Sequence, residues 1–161
     1  MAYRAYFAAE RAESFLFIAA GIIALSVGLW MALSVRKAFA LGLAGPLVAV
    51  ALIQLAVGTT VALRSPPDAA RVEHILAAER PRLKSEEIPR MVVVMQNFRT
   101  YRAVEIALIL VGLLLMFGPL PGDIWRGAGI GLFIQASLTL ALDFFAERRG
   151  SEYLDWLTRQ A

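Results

Sequence analysis

The sequence predicts an all-α integral membrane protein with four membrane-spanning helices arranged as two hairpins. Three observations carry that prediction. Of the 161 residues, 59% are hydrophobic and the mean hydropathy is +0.65, well above the range of a soluble chain of this length. The charged residues, 18% of the chain, are missing from long stretches instead of being scattered. Those stretches are about 16 to 25 residues long, and a helix rising 1.5 Å per residue needs about 20 to cross the hydrocarbon core.

The first span covers Ser14 to Val35, "SFLFIAAGIIALSVGLWMALSV". Its apolar run is too long for the core of a secretory leader, and Glu10 and Glu13 precede it where a leader carries basic residues. It is therefore expected to be an uncleaved span. "RKA" separates it from the second span, Phe39 to Leu63. The third covers Ala103 to Gly118, and "PLPGD" leads to the fourth, Ile124 to Ala146.

Between the second and third spans lies a polar insertion, residues 65–102, that reads as a helical hairpin. In "SPPD", Ser65 suits an N-cap and Pro66 the first helical position. An apolar stripe at Val72, Ile75 and Leu76 follows, and Pro81 ends it. "SEEIP" gives a second start, with Ser85 as cap and Glu86 and Glu87 against the positive end of the helix. From Glu86 nothing interrupts a helix before Gly118, so the third span is expected to continue into a long cytosolic helix. At the C-terminus, residues 151–160 place Tyr153, Trp156 and Leu157 on one side, as in a short helix lying at the inner interface.

Orientation follows from counting cations. With four spans, both termini and the insertion share one side and carry thirteen of the sixteen Lys and Arg residues; the two hairpin turns carry Arg36, Lys37 and Arg126. The positive-inside rule then puts both termini in the cytoplasm of an inner (plasma) membrane protein. It also accounts for the basic balance without nucleic acid as a partner. Arg80, Arg82, Lys84 and Arg90 suggest contact with anionic lipid headgroups.

Polar residues inside the spans cluster by depth. Ser26, Gln54 and Gln135 fall near the midplane; Glu13, Thr59, Thr60, Glu105, Thr139 and Asp143 fall in the cytoplasmic half or at its edge. Apart from Ser34 the outer half is apolar, which suggests a polar cavity sealed on the outside. Interhelical hydrogen bonding explains Gln54 and Gln135 as well, at about 0.6 kcal/mol per contact. Glu105 is the conspicuous charge, because a carboxylate at the centre of a span costs about 2.5–3.5 kcal/mol and less near its end. Arg102, three residues before it, or Arg11 at the mouth of the first span, is its natural ion-pair partner.

Two surfaces suggest contacts. Ala20, Ala24, Gly28 and Ala32 form a small-residue ridge on the first span, and Gly127 and Gly131 form another on the fourth. Such ridges let helix backbones approach closely, within one bundle or between copies in a homo-oligomer. Met91, Met95 and Phe98 form an adaptable stripe suited to a protein partner or to packing on a neighbouring helix. There is also an internal likeness: "RAESFLFIAAG" with "RAVEIALILVG", and "LIQLAVGTTVAL" with "FIQASLTLAL". Both hairpins would run in the same direction, so the likeness describes a parallel repeat about an axis along the membrane normal.

Catalytic chemistry is missing from the pattern. There is no cysteine, and the single histidine, His74, has no second ligand in helical register beyond neighbouring glutamates. No HExxH, GxSxG or phosphate-binding glycine loop occurs, so no catalytic residue, metal or cofactor is expected. The expectation is a non-enzymatic inner-membrane protein acting by binding, as an adaptor, complex subunit or immunity-type protector. The alternative is a small oligomeric ion channel or transporter using the intramembrane Glu and Gln residues.

Overall fold

The computed structural model describes residues 2–120 and 122–160; Met1, Ala161 and Pro121 of the "PLPGD" turn lie outside the described residues. Four long helices make up the fold: α1 (Ala2–Trp30), α2 (Ala38–Ala78), α3 (Ile88–Phe117) and α4 (Asp123–Gln160). A π-helical turn, Met31–Val35, extends α1, and another, Leu83–Glu87, leads into α3. All four helices are long and apolar enough to cross a membrane.

At 1.5 Å per residue, the 41 residues of α2 reach about 60 Å, twice the thickness of the hydrocarbon core. The helices therefore have a span-grade half and a second half rich in charge. In that second half the ends of all four helices form a compact bundle around Tyr3, Phe7, Val72, Ile75, Leu83, Met91, Tyr153 and Leu157.

Two expected helix boundaries are absent. Ser65 does not cap a new helix, because α2 continues through it and through Pro66 and Pro67. The Ser65 hydroxyl lies 2.9 Å from the Val61 carbonyl and 2.6 Å from Glu10 on α1. The two prolines remove N–H groups that would bond the Ala62 and Leu63 carbonyls. Pro66 and Pro67 are exposed at the end of the span-grade segment, where water can take over those carbonyls. Likewise residues 151–160 are no separate interfacial helix. They are the last turns of α4, with Tyr153 and Leu157 buried in the bundle core and Trp156 stacked on Tyr153. Ser85 stands inside the Leu83–Glu87 turn and caps nothing.

Glu87 organises this bundle. It is fully buried, and it accepts hydrogen bonds from Arg90 at 2.6 and 3.0 Å, from Arg71 at 2.6 Å and from the Tyr153 hydroxyl at 3.1 Å. Burial alone would push its carboxyl upward. The hydrogen bonds and charges of Arg90 and then Arg71 outweigh that and hold it below the usual carboxylate range. Tyr153 stacks on Tyr6 with ring centroids 4.2 Å apart, joining α4 to α1 beside this carboxylate.

In the span-grade half the helices stand in the order α1, α2, α4, α3, each in contact with the next along most of its length. Among the described residues, no Cα of α1 or α2 comes within 8 Å of α3. This is the arrangement that two parallel hairpins joined through their second helices produce.

Glycine sets the closeness of each contact. A Cβ on Gly127 would lie 2.1 Å from the Phe39 carbonyl oxygen of α2, and one on Gly42 would lie 2.0 Å from that of Ile124 on α4. Gly28 faces Val48 and Leu47, and Gly131 faces Leu43 and Pro46. Gly28, Gly127 and Gly131 therefore pack within the protomer, each against α2.

Two predictions follow from these contacts. Gly127→Ala should destabilise the protein by about 1–3 kcal/mol, because backbone cannot yield as a side chain can. Gly45→Ala, with open space where its Cβ would go, should be neutral or stabilising by up to about 1 kcal/mol through helix propensity. Unfolding titrations in detergent check the pair, and equal effects would contradict the close α2–α4 contact.

For the bundle, Glu87→Gln should cost about 3 kcal/mol, the lower end for a broken buried pair because Arg71 and Arg90 keep some solvent. The pH dependence has a fixed sign. The folded carboxyl lies below its unfolded value of about 4.3, so its stabilisation is complete above that pH. It is lost as pH falls towards the lower folded value. Wild-type protein should lose stability in this acid window, and Glu87→Gln should lose less.

Candidate functional site

The gap between α1 and α3 leaves a cleft of about 680 Å³, floored by α4 and walled by all four helices. Phe17, Ile53, Val57, Leu108 and Leu132 give it apolar sides. Tyr6 closes it towards the extramembrane bundle. The cleft thus opens sideways between α1 and α3 rather than through the end of the bundle.

Its polar groups come from a column on α4. Gln135, Thr139 and Asp143 recur every fourth residue and so share one face of the helix. Gln54 of α2 donates from Nε2 to Gln135 Oε1 and to Thr139 Oγ1, both at 3.3 Å. Gln135 in turn donates to the Leu47 carbonyl at 3.4 Å. The two Ile-Gln segments of the internal likeness therefore meet each other at the α2–α4 contact.

One turn along the column, Glu105 of α3 faces Asp143 within hydrogen-bond reach. Glu105 is 94% shielded, and its Oε2 has no partner.

The expected partners of Glu105 are engaged elsewhere. Arg102 pairs with Glu147 of α4 at 2.8 Å, and Arg11 lies over the Phe15 ring at 5.9 Å. The reason is geometric: Glu105 points inward at α4, while Arg102 lies on an exposed face one turn closer to the extramembrane half. Glu13 pairs with Arg149, and Glu10 with Arg64 at 3.3 Å, so ion pairs frame the mouth of the cleft while Glu105 stays deeper.

The other sequence candidates fall outside the cleft or on its rim. Met91 is fully buried in the bundle, and Met95 and Phe98 pack around Gly150 of α4; the stripe joins helices within the protomer. Phe98 also reaches the cleft wall. Ala20, Ala24 and Ala32 are half-buried along α1. Arg80, Arg82 and Lys84 stand at the far tip of the bundle, about 25 Å beyond the end of the second span. Arg82 is held there by Glu79 and Glu86. His74 is exposed, and among the described residues no group of three His, Cys, Asp or Glu is placed to hold a metal ion.

Sequence reasoning missed Glu87 as an organising group. Its i+3 relation to Arg90 was visible, but its burial depends on Arg71 and Tyr153 arriving from two other helices. Compared with models of protein families, with curated proteins and with solved structures, the chain matches none.

A double-mutant cycle checks the reassigned ion pair. Coupling between Arg102 and Glu147 should be about 0.2–1 kcal/mol, the range of partly exposed pairs, while Arg102 and Glu105 should show none. Coupling confined to Arg102 and Glu105 would restore the sequence-based pairing.

Proposed function

We propose that this is a small multi-spanning inner-membrane protein, with both termini in the cytoplasm, that acts by binding rather than by catalysis. The cleft between α1 and α3 is its binding site. One observation carries this reading: α1 and α3 stay apart through the span-grade half and leave a cleft with an unpartnered, buried carboxylate oxygen. Pockets of this size, mostly apolar with few convergent polar groups, are the usual form of ligand sites. The thirteen-to-three distribution of cations supports the orientation.

Of the surfaces first suited to an adaptor or subunit, the ridge glycines and the methionine stripe serve packing inside the protomer. The binding role therefore moves from helix faces to the cleft. The channel or transporter reading draws on the same Glu105 and Gln54. It needs a polar route outward from Gln54, where the spans carry only Ser34 in the outer half, and a free ridge for a second copy.

A photoreactive benzoylphenylalanine at Leu108 should give a discrete adduct in native membranes, suppressed when Val57→Trp fills the cleft. The same probe at Leu114, exposed on the lipid side of α3, should give only bulk lipid products. Identical patterns from Leu108 and Leu114 would refute binding in the cleft.

A further inference from the structure

The chemistry of the cleft's occupant can be deduced from what the cleft leaves unsatisfied; the deduction rests on the cleft being a binding site. Among the described residues, two buried side-chain atoms lack a hydrogen-bond partner, Gln54 Oε1 and Glu105 Oε2. Both belong to residues lining this one cleft. Both are oxygen atoms, and leaving such an atom buried and unpaired is unfavourable.

The orientation of Gln54 is fixed by its neighbours. Gln135 uses its amide N–H on the Leu47 carbonyl and so turns its oxygen to Gln54. Gln54 must then present its own N–H groups to Gln135 and Thr139, and its oxygen is left over. The α4 residues they meet, Thr139 and Asp143, lie four residues apart, about 6 Å along the helix axis.

The cations nearest them are engaged: Arg64 is bound to Glu10, Arg149 to Glu13 and Arg102 to Glu147, and the Tyr6 hydroxyl donates to Glu10. A donor for the two oxygens is what an occupant would supply. The Glu105–Asp143 pair adds uncompensated negative charge, and Tyr6, Phe17, Phe98 and Tyr101 add aromatic rings to the walls. Aromatic faces attract organic cations. An inorganic cation would need a fuller oxygen cage than two carboxyls in apolar walls provide.

We propose that the cleft binds an amphipathic organic ammonium ion. Its N–H groups donate to Glu105 Oε2 and Gln54 Oε1, and its apolar body lies between α1 and α3. The volume of about 680 Å³ suits a single drug-sized molecule. The occupant arrives laterally from the bilayer, where amphipathic amines concentrate.

The test uses two dyes with one ring system on the intact protein in neutral detergent. 9-Aminoacridine is a cationic N–H donor, whereas acridine at pH 8 is neutral and accepts only. Fluorescence anisotropy should show saturable binding of 9-aminoacridine at least tenfold tighter than acridine, which is displaced first in competition. Glu105→Gln should weaken the amine at least tenfold and Gln54→Leu about threefold, with acridine little changed. Glu152→Gln, an exposed residue paired with Arg148, should leave both affinities unchanged. Equal affinity for the two dyes in the wild-type protein overturns the proposal without any variant. So does an unchanged amine affinity in a Glu105→Gln protein of wild-type size and melting behaviour. If both dyes bind equally and Val57→Trp abolishes both, the cleft remains a binding site and only the ammonium assignment falls. If neither dye binds saturably, the ammonium assignment falls and the Leu108 adduct judges the cleft by itself.

Discussion

The contact between α2 and α4 is the constraint on which the rest of the molecule depends. Within lipid there is no hydrophobic force to drive helices together, so association relies on close packing and a few hydrogen bonds. Gly42 and Gly127 let the two backbones touch, and Gln54 and Gln135 join them near the middle of the spans. Each hairpin then hangs its other helix on the outside, α1 on α2 and α3 on α4. The cleft is a consequence of that order. Because the pairing runs through the second helix of each hairpin, the first helices are left facing one another across a gap.

Outside the span-grade half the logic changes to that of a soluble protein. Aromatic and aliphatic side chains close a dry core, and a buried carboxylate is tolerated because two arginines and a tyrosine surround it. Removing one partner would leave the others uncompensated, so Glu87, Arg71, Arg90 and Tyr153 act as a unit. That unit ties α2, α3 and α4 together, and the Tyr6–Tyr153 stack adds α1. The lower ends of α1 and α3 are thereby fixed, although the helices never meet in the spans.

Hydropathy made the four helices legible, and the unbroken run from Glu86 to Gly118 foretold the length of α3. The continuity of α2 and α4 was not legible. Ser65-Pro66-Pro67 and Gly150 are strong local boundary signals, and they are overruled by contacts from distant residues: Glu10 against Ser65, and Met95 against Gly150. Local preference is worth a few kcal/mol at such points, and tertiary packing exceeds it. The members of the cleft, Gln54, Glu105, Asp143 and Gln135, stood out as polar residues in apolar runs. Their pairing did not, because a sequence gives the depth of a residue along its own helix but not which neighbour it faces. Arg102 looked like the partner of Glu105 for that reason.

The unequal lengths of the apolar segments have a consequence for the surrounding bilayer. The span-grade part of α3, 15 residues from Ala103 to Phe117, reaches only about 23 Å, whereas the 25 residues of the second span reach about 37 Å. A helix that is too short draws the lipid inward, and one that is too long tilts. Around a protein with apolar faces this unequal, mismatch falls on the α3 side, which is one lip of the cleft.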